Sequence, residues 1–190
     1  MARRGGTWAQ RWRVPLGFAC ALLFLLLAKP VPLTLAAGGA VALAGLALRA
    51  WASGHIRKNA RLAVSGPYAY TRNPLYLGSF VLGLGFTVAA SSGAWRFLLL
   101  GSLFASLFLG IYLPVMRVEA ATLAGLFGEE YKRYAESVPL LFPRLTPYRG
   151  GEGALAKFDP KLYLRYREYR AALGLLLAWG VLALKAVLAV

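Results

Sequence analysis

The chain has 190 residues, 59% of them hydrophobic, a mean hydropathy of +0.58, and 22 lysines and arginines against seven acids, for a net charge of +15. The apolar residues come in long blocks, which excludes an ordinary soluble domain, and no recognition motif accompanies the basic excess, which argues against nucleic acid as the partner. A single cysteine, Cys20, excludes an internal disulfide and a cysteine-based metal site, and reads as a small apolar packing residue.

The apolar blocks run from Val14 to Ala28, Val31 to Ala50, Pro74 to Ala90, Ala94 to Met116 and Ala171 to Val190. A hydrocarbon core of roughly 30 Å needs about 20 apolar residues of helix, and backbone groups in lipid must be satisfied internally. No alternating barrel pattern is present. The expectation is therefore an all-α integral membrane protein, one domain over residues 1–190, with about five transmembrane helices. Pro30 and Pro32 punctuate a first hairpin, Ser91, Ser92 and Gly93 a second, and a final span ends the sequence. The basic residues before the first block resemble a signal peptide. A second block follows at once without a small-residue cleavage site, so the segment reads as a retained anchor. Ser102, Ser106 and Gly110 recur at four-residue spacing in the fourth block, which suits close helix packing in lipid.

Arg3, Arg4, Arg11 and Arg13 precede the first block; Arg49, Arg57, Lys58, Arg61 and Arg72 fall between the second and third; ten more basic residues lie between the fourth and fifth. Only Lys29, Arg96 and Lys185 fall on the other side of a five-span thread. By the positive-inside rule this places the N-terminus in the cytoplasm and the C-terminus outside, with attraction to anionic headgroups on the basic face. Two cytoplasmic segments, 52–73 and 117–170, are left to carry the chemistry. The Ala-, Leu- and Arg-rich composition suggests a bacterial inner membrane.

In the second segment, Phe127, Tyr131, Tyr134 and Val138 mark one face of an amphipathic helix, which could equally lie on headgroups. Tyr163, Tyr166 and Tyr169, interleaved with Arg165, Arg167 and Arg170, read as an aromatic and basic collar before the last span. The first segment holds the most informative run, from Ser65 through Gly66-Pro67-Tyr68 to Arg72-Asn73-Pro74, Tyr76 and Gly78. Gly66-Pro67 should turn the chain, Pro74 fits the first turn of a helix, and Asn73 suits the N-cap. Helix N–H groups and Arg72 would then suit an anionic group; an ordinary capped transmembrane helix reads the same. His55, the sole histidine, could serve as a general base or be incidental to the interface.

The run Gly66-Pro67-Tyr68, Arg72-Asn73-Pro74 and Tyr76 resembles the signature of the isoprenylcysteine carboxyl methyltransferase and phospholipid methyltransferase superfamily. A second block, Glu119, Leu123, Phe127-Gly128, Glu130-Tyr131, Tyr134, Val138-Pro139 and Pro143, resembles its acidic helix and proline-bounded loop, so that the likeness covers residues 49 to 148. The sequence departs from the pattern at Asn73, where many members have histidine, and at Ala120, where a second acid is common. The resemblance implies a membrane enzyme that binds S-adenosylmethionine (SAM) and transfers its methyl group to a lipophilic or lipid acceptor, a prenylcysteine-type carboxylate or a phospholipid amine. It implies Arg72 and Glu119 as candidate catalytic residues, to which His55 is added as a candidate base from its own chemistry. Gly66, Pro67, Tyr68, Asn73, Pro74, Tyr76, Glu119, Tyr131 and Tyr134 would form the cofactor site, no metal is expected, and Arg117 either binds substrate or holds the headgroup region. Two other functions stay open: an NADPH-dependent membrane reductase of the sterol-reductase type, which the resemblance brings in through a related terminal fold, and a non-enzymatic membrane subunit.

Overall fold

A computed structural model describes residues 8–57, 60–151 and 153–188. Arg3, Arg4, Lys58 and Val190, named above, lie outside the described residues, as do the side chains of Arg11 and Arg13. The elements are α1 (Trp8–Leu27), α2 (Pro32–Ser53), a 3₁₀ turn (Gly66–Ala69), α3 (Pro74–Ala89), α4 (Ala94–Ser137), α5 (Pro160–Arg165) and α6 (Tyr169–Leu188), with no strand among the described residues.

All five apolar blocks fold as helices, but only α2, α4 and α6 are long and apolar enough to cross a membrane. The apolar part of α1, Gly17–Leu27, and α3 are shorter. The structure thus supports an all-helical chain with three helices of spanning length rather than five. The fourth block also does not stop at Met116. No proline interrupts residues 117–127, so α4 runs on to Ser137, broken only at Gly128 (φ 52, ψ −125), a conformation closed to residues with a Cβ.

Glycine sets the closest helix contact. Gly38, Ala42 and Gly45 share one face of α2 and meet Gly78, Gly85 and Ala89 of α3. A Cβ on Gly45 would collide with the backbone of Leu82 and Gly78, and one on Gly85 with Ala42. Close backbone approach of this kind holds helices together where lipid removes the ordinary hydrophobic drive. The stripe expected to do so, Ser102, Ser106 and Gly110, is exposed, and nothing lies within 4 Å of where a Gly110 Cβ would be. The α4 residues that turn inward are Leu100, Phe108, Val115 and Met116, on the opposite side of the helix.

Two of the three basic residues set apart in the sequence, Lys185 and Arg96, share a role at the end of α1. Lys185 Nζ of α6 donates to the Leu25 and Leu26 carbonyls at 2.7 and 2.9 Å, and Arg96 of α4 donates to that of Leu27 at 3.4 Å. The Lys29 amide donates to Ala90 O at 2.9 Å, joining the two hairpin ends. The last carbonyls of a helix have no partner of their own, so these cations close the end of α1. Lys185→Met should therefore lower stability by about 1–3 kcal/mol by leaving partly buried carbonyls unpaired. Gly45→Leu should cost at least as much by overpacking against backbone. Thermal unfolding of the detergent-solubilised variants measures both.

Candidate functional site

At the opposite end of the bundle, polar side chains gather around the head of α3. The chain reaches that end through the 3₁₀ turn, where Gly66 takes φ +56 and lies so close to the His55 ring that a Cβ could not fit. His55 Nδ1 lies 2.9 Å from Ser65 Oγ, and Phe158 and Trp51 stand edge-on to the ring. His55 thus clasps the start of the segment, with Ser65, Trp51 and Phe158 as its neighbours and not Arg72 or Glu119. Burial lowers its pKa.

Residues 69–73 are then bound to the loop after α4. The Arg72 amide donates to Pro139 O at 3.0 Å, the Arg144 amide to Tyr70 O at 3.0 Å, and the Tyr148 amide to Ala69 O at 2.8 Å. Thr71 Oγ1 donates to Leu141 O at 2.8 Å. Asn73 makes no side-chain cap. Its Nδ2 donates instead to Leu140 O at 2.9 Å, because the loop offers an acceptor where the helix end offers only donors. The expected N-cap is in fact a tether. Pro67 and Pro74 are fully buried and act by packing.

The Gly128 kink brings the end of α4 against this segment. Tyr131, Tyr134 and Val138 bury against Leu62 and Val64, with Phe127 packed beside them, so the amphipathic face faces protein. Tyr134 Oη donates to Tyr68 O at 2.7 Å, and Arg72 Nη1 to Tyr131 Oη at 3.2 Å. On the other side of α3, Tyr76 Oη donates to Glu119 Oε1 at 2.9 Å, and its ring lies 5.3 Å from that of Tyr112. Arg72, Tyr131, Tyr134 and Tyr68 thus form one chain of contacts, and Tyr76 with Glu119 forms a second pair at the head of α3. Arg117 joins neither. Two residues along a helix is about 200°, so Arg117 is exposed on the face opposite Glu119.

Three further residues join these groups. Arg49, counted in the sequence as a loop residue, lies inside α2. Its Nη1 donates to Ser79 Oγ and to Leu75 O, and its Nη2 pairs with Glu168 Oε2 at 2.7 Å. A charge inside an apolar helix was the available signal for Arg49. Glu168 follows the Schellman C-cap of α5, in which Arg167 takes φ 56 and the Glu168 amide donates to Tyr163 O at 3.3 Å. The buried Tyr68 hydroxyl has no hydrogen-bond partner, and neither do the buried Nε atoms of Arg49 and Arg72. Burial raises the Tyr68 phenol pKa, helped by Tyr134 and by the charges of Glu168 and Glu119, so the group stays an O–H donor. Below the head of α3, Ser79 and Tyr112 also line an apolar cavity of about 260 Å³ shared with Cys20, Phe24, Phe104 and Leu182. Among the described residues, no group of three or more His, Cys, Asp or Glu side chains could hold a metal ion.

No family model matches the chain, and no solved structure matches it. The chain is 36% identical over 150 residues to the cobalt-zinc-cadmium resistance protein CzcN of Cupriavidus metallidurans, covering 73% of this chain and 65% of that protein. It is 34% identical over 103 residues to the nickel-cobalt-cadmium resistance protein NccN of Alcaligenes xylosoxydans xylosoxydans, covering 53% and 46%. The chain spans less than two thirds of either relative. These relatives correct the family resemblance drawn from the sequence: they carry metal-resistance names and point to a different family from the isoprenylcysteine and phospholipid methyltransferases. The two matched blocks contain the residues that build the loop-to-helix docking described above, and shared docking geometry does not carry a family with it.

The His55 clasp is open to a pH test. Because its folded pKa lies below the ordinary value of 6.5, the unfolded chain binds the extra proton, and stability falls as pH drops through that value. The melting temperature should decline between pH 7 and pH 5, and His55→Gln should flatten the decline.

Proposed function

We propose that this chain is a membrane component of a system that confers resistance to divalent transition-metal ions. The observation that carries this is the 36% identity to CzcN across 150 residues. In the first form of this reading the chain is a non-enzymatic subunit. The oxygen-bearing groups around the head of α3 are a poor match for cobalt, nickel, zinc or cadmium, which favour imidazole and thiolate ligands, so the chain would serve beside a partner that handles the ion. The charge asymmetry supports a topology with those polar groups on the cytoplasmic side of a bacterial inner membrane, with α1 and α3 completing five membrane-embedded helices.

A second reading is supported by the chemistry of the side chains around the head of α3. It is methyl transfer from SAM to a lipophilic acceptor. SAM would supply an electrophilic methyl group on a sulfonium. The residues present fit such a molecule: Arg72, with a buried Nε lacking a partner, suits a carboxylate, Glu119 suits hydroxyls or an ammonium, and the phenol rings of Tyr68 and Tyr76 suit a cation. The apolar cavity adjoining Ser79 and Tyr112 offers room for the acceptor's hydrocarbon. Alignment of nucleophile and methyl group in a site shielded from water would supply most of the acceleration, up to roughly 7–11 kcal/mol in the best intramolecular cases.

Expression in a metal-sensitive bacterium, with growth followed on cobalt, zinc and cadmium, tests the first proposal; the chain should raise tolerance, and unchanged sensitivity would sink it. Calorimetric titration of purified protein with SAM, S-adenosylhomocysteine and NADPH tests the second. Glu119→Ala should weaken binding of the adenosyl ligands at least tenfold, on the scale of a lost charge-assisted hydrogen bond. Resistance that survives Glu119→Ala favours the subunit; resistance lost together with binding favours the enzyme.

A further inference from the structure

We infer that the apolar cavity between α1, α3, α4 and α6 is a slot for one hydrocarbon chain, entered sideways from the membrane by a single-chained amphiphile with a small oxygen-bearing head. The slot has this occupant whether or not methyl transfer takes place, because the inference rests on the shape and lining of the cavity.

The lining follows one face of each helix. Ser79, Gly83, Phe86 and Ala90 recur at helical spacing along α3, and the rise per residue makes that face about 16 Å long. Gly17, Cys20, Ala21 and Phe24 share one face of α1, and Phe104, Phe108 and Tyr112 one face of α4. A volume of about 260 Å³ drawn out along such a face is one hydrocarbon chain wide. The space exists because α1 presents small residues to it, and nothing lies within 4 Å of where a Gly17 Cβ would be. The wall from α4 is a row of rings, with centroids 5.6 Å apart from Phe104 to Phe108 and 4.5 Å from Phe108 to Tyr112.

The two ends differ. Phe24, Ala90 and Leu182 are buried in one cluster and close the first. Among the described residues of the lining only Ser79 and Tyr112 carry a hydroxyl, and both lie at the second, where the Tyr112 ring stands 5.3 Å from that of Tyr76. Gly17 of α1 and Leu107 of α4 line the cavity and are exposed as well, Leu107 on a helix apolar enough to cross a membrane, so the mouth faces acyl chains. Apolar cavities exclude water and take apolar guests, benzene entering one of about 150 Å³. One chain fills the slot and the two hydroxyls suit one small head. A phospholipid would have to leave its second chain outside the mouth.

The test is photolabelling of the full chain in phosphatidylcholine nanodiscs, with adducts located by peptide mass spectrometry. One probe is a medium-chain fatty acid with a diazirine on its chain, and the other a phosphatidylcholine with a diazirine on one acyl chain. Phe108 and Leu182 are 6% and 1% exposed, out of reach of bulk lipid, whereas Leu99 and Leu177 are exposed on α4 and α6. The fatty acid should label all four residues, and the phosphatidylcholine only Leu99 and Leu177. Gly17→Leu narrows the mouth and Cys20→Leu fills the slot. Each variant should lose the Phe108 and Leu182 adducts while keeping those at Leu99 and Leu177. Wild-type adducts confined to Leu99 and Leu177 would overturn the slot, as would Phe108 and Leu182 adducts that persist in both variants. Equal labelling of Phe108 and Leu182 by the phosphatidylcholine would overturn the single-chained occupant. No arm contains SAM, so failure of the slot and failure of the methyl-transfer reading are separate results.

Discussion

The backbones of α2 and α3 approach each other so closely that only glycine and alanine fit between them, at Gly38, Ala42 and Gly45 on one side and Gly78, Gly85 and Ala89 on the other. Position follows from that contact. Arg49 lies one helical turn beyond Gly45, and Ser79 directly follows Gly78, so the contact that brings the helices together also lays the Arg49 side chain along α3. There the guanidinium finds Ser79, the Leu75 carbonyl and Glu168. A larger residue at Gly45 or Gly78 would push α3 outward and take Tyr76 away from Glu119.

A second constraint brings the polar half over this helix pair. The backbone at Gly128 kinks α4, and the loop that follows supplies acceptors and donors to residues 69–73 one after another. Main-chain hydrogen bonds of this kind leave little freedom of register, so Tyr68, Arg72 and Tyr131 are fixed relative to one another before any ligand is considered. Preorganisation of that sort reduces the ordering cost of binding. The same reasoning explains why Asn73 is worth more as a tether to Leu140 than as a helix cap.

Polar groups inside this bundle are costly unless paired. Most are paired here: Lys185 and Arg96 with the carbonyls of α1, Arg49 with Glu168, Tyr134 with Tyr68 O. Against that background the three buried atoms without partners, on Arg49, Tyr68 and Arg72, stand out. The chain's relatives name a physiological setting, metal resistance, while the chemistry around the head of α3 is that of carboxylates, phenols and guanidinium groups. The two fit together if the chain supports resistance by acting on something other than the metal ion.

The sequence by itself determined the helical class, the five apolar blocks, the basic asymmetry and the two segments that meet around the head of α3, because block length, charge and proline-glycine punctuation are local properties. It also marked Arg72, Tyr76, Glu119, Tyr131 and Tyr134, which the fold gathers around that helix end. It misplaced Arg49, passed over Glu168, set Arg117 toward the substrate beside Glu119, and gave the packing role to Ser102, Ser106 and Gly110. Each of those depends on direction in space. Whether a small residue faces a neighbouring helix or lipid, and whether an acid turns inward or outward, is decided by helix rotation and by single backbone angles such as those at Gly128 and Arg167. Only the tertiary structure fixes these, because the partners that enforce them lie up to 119 residues away along the chain.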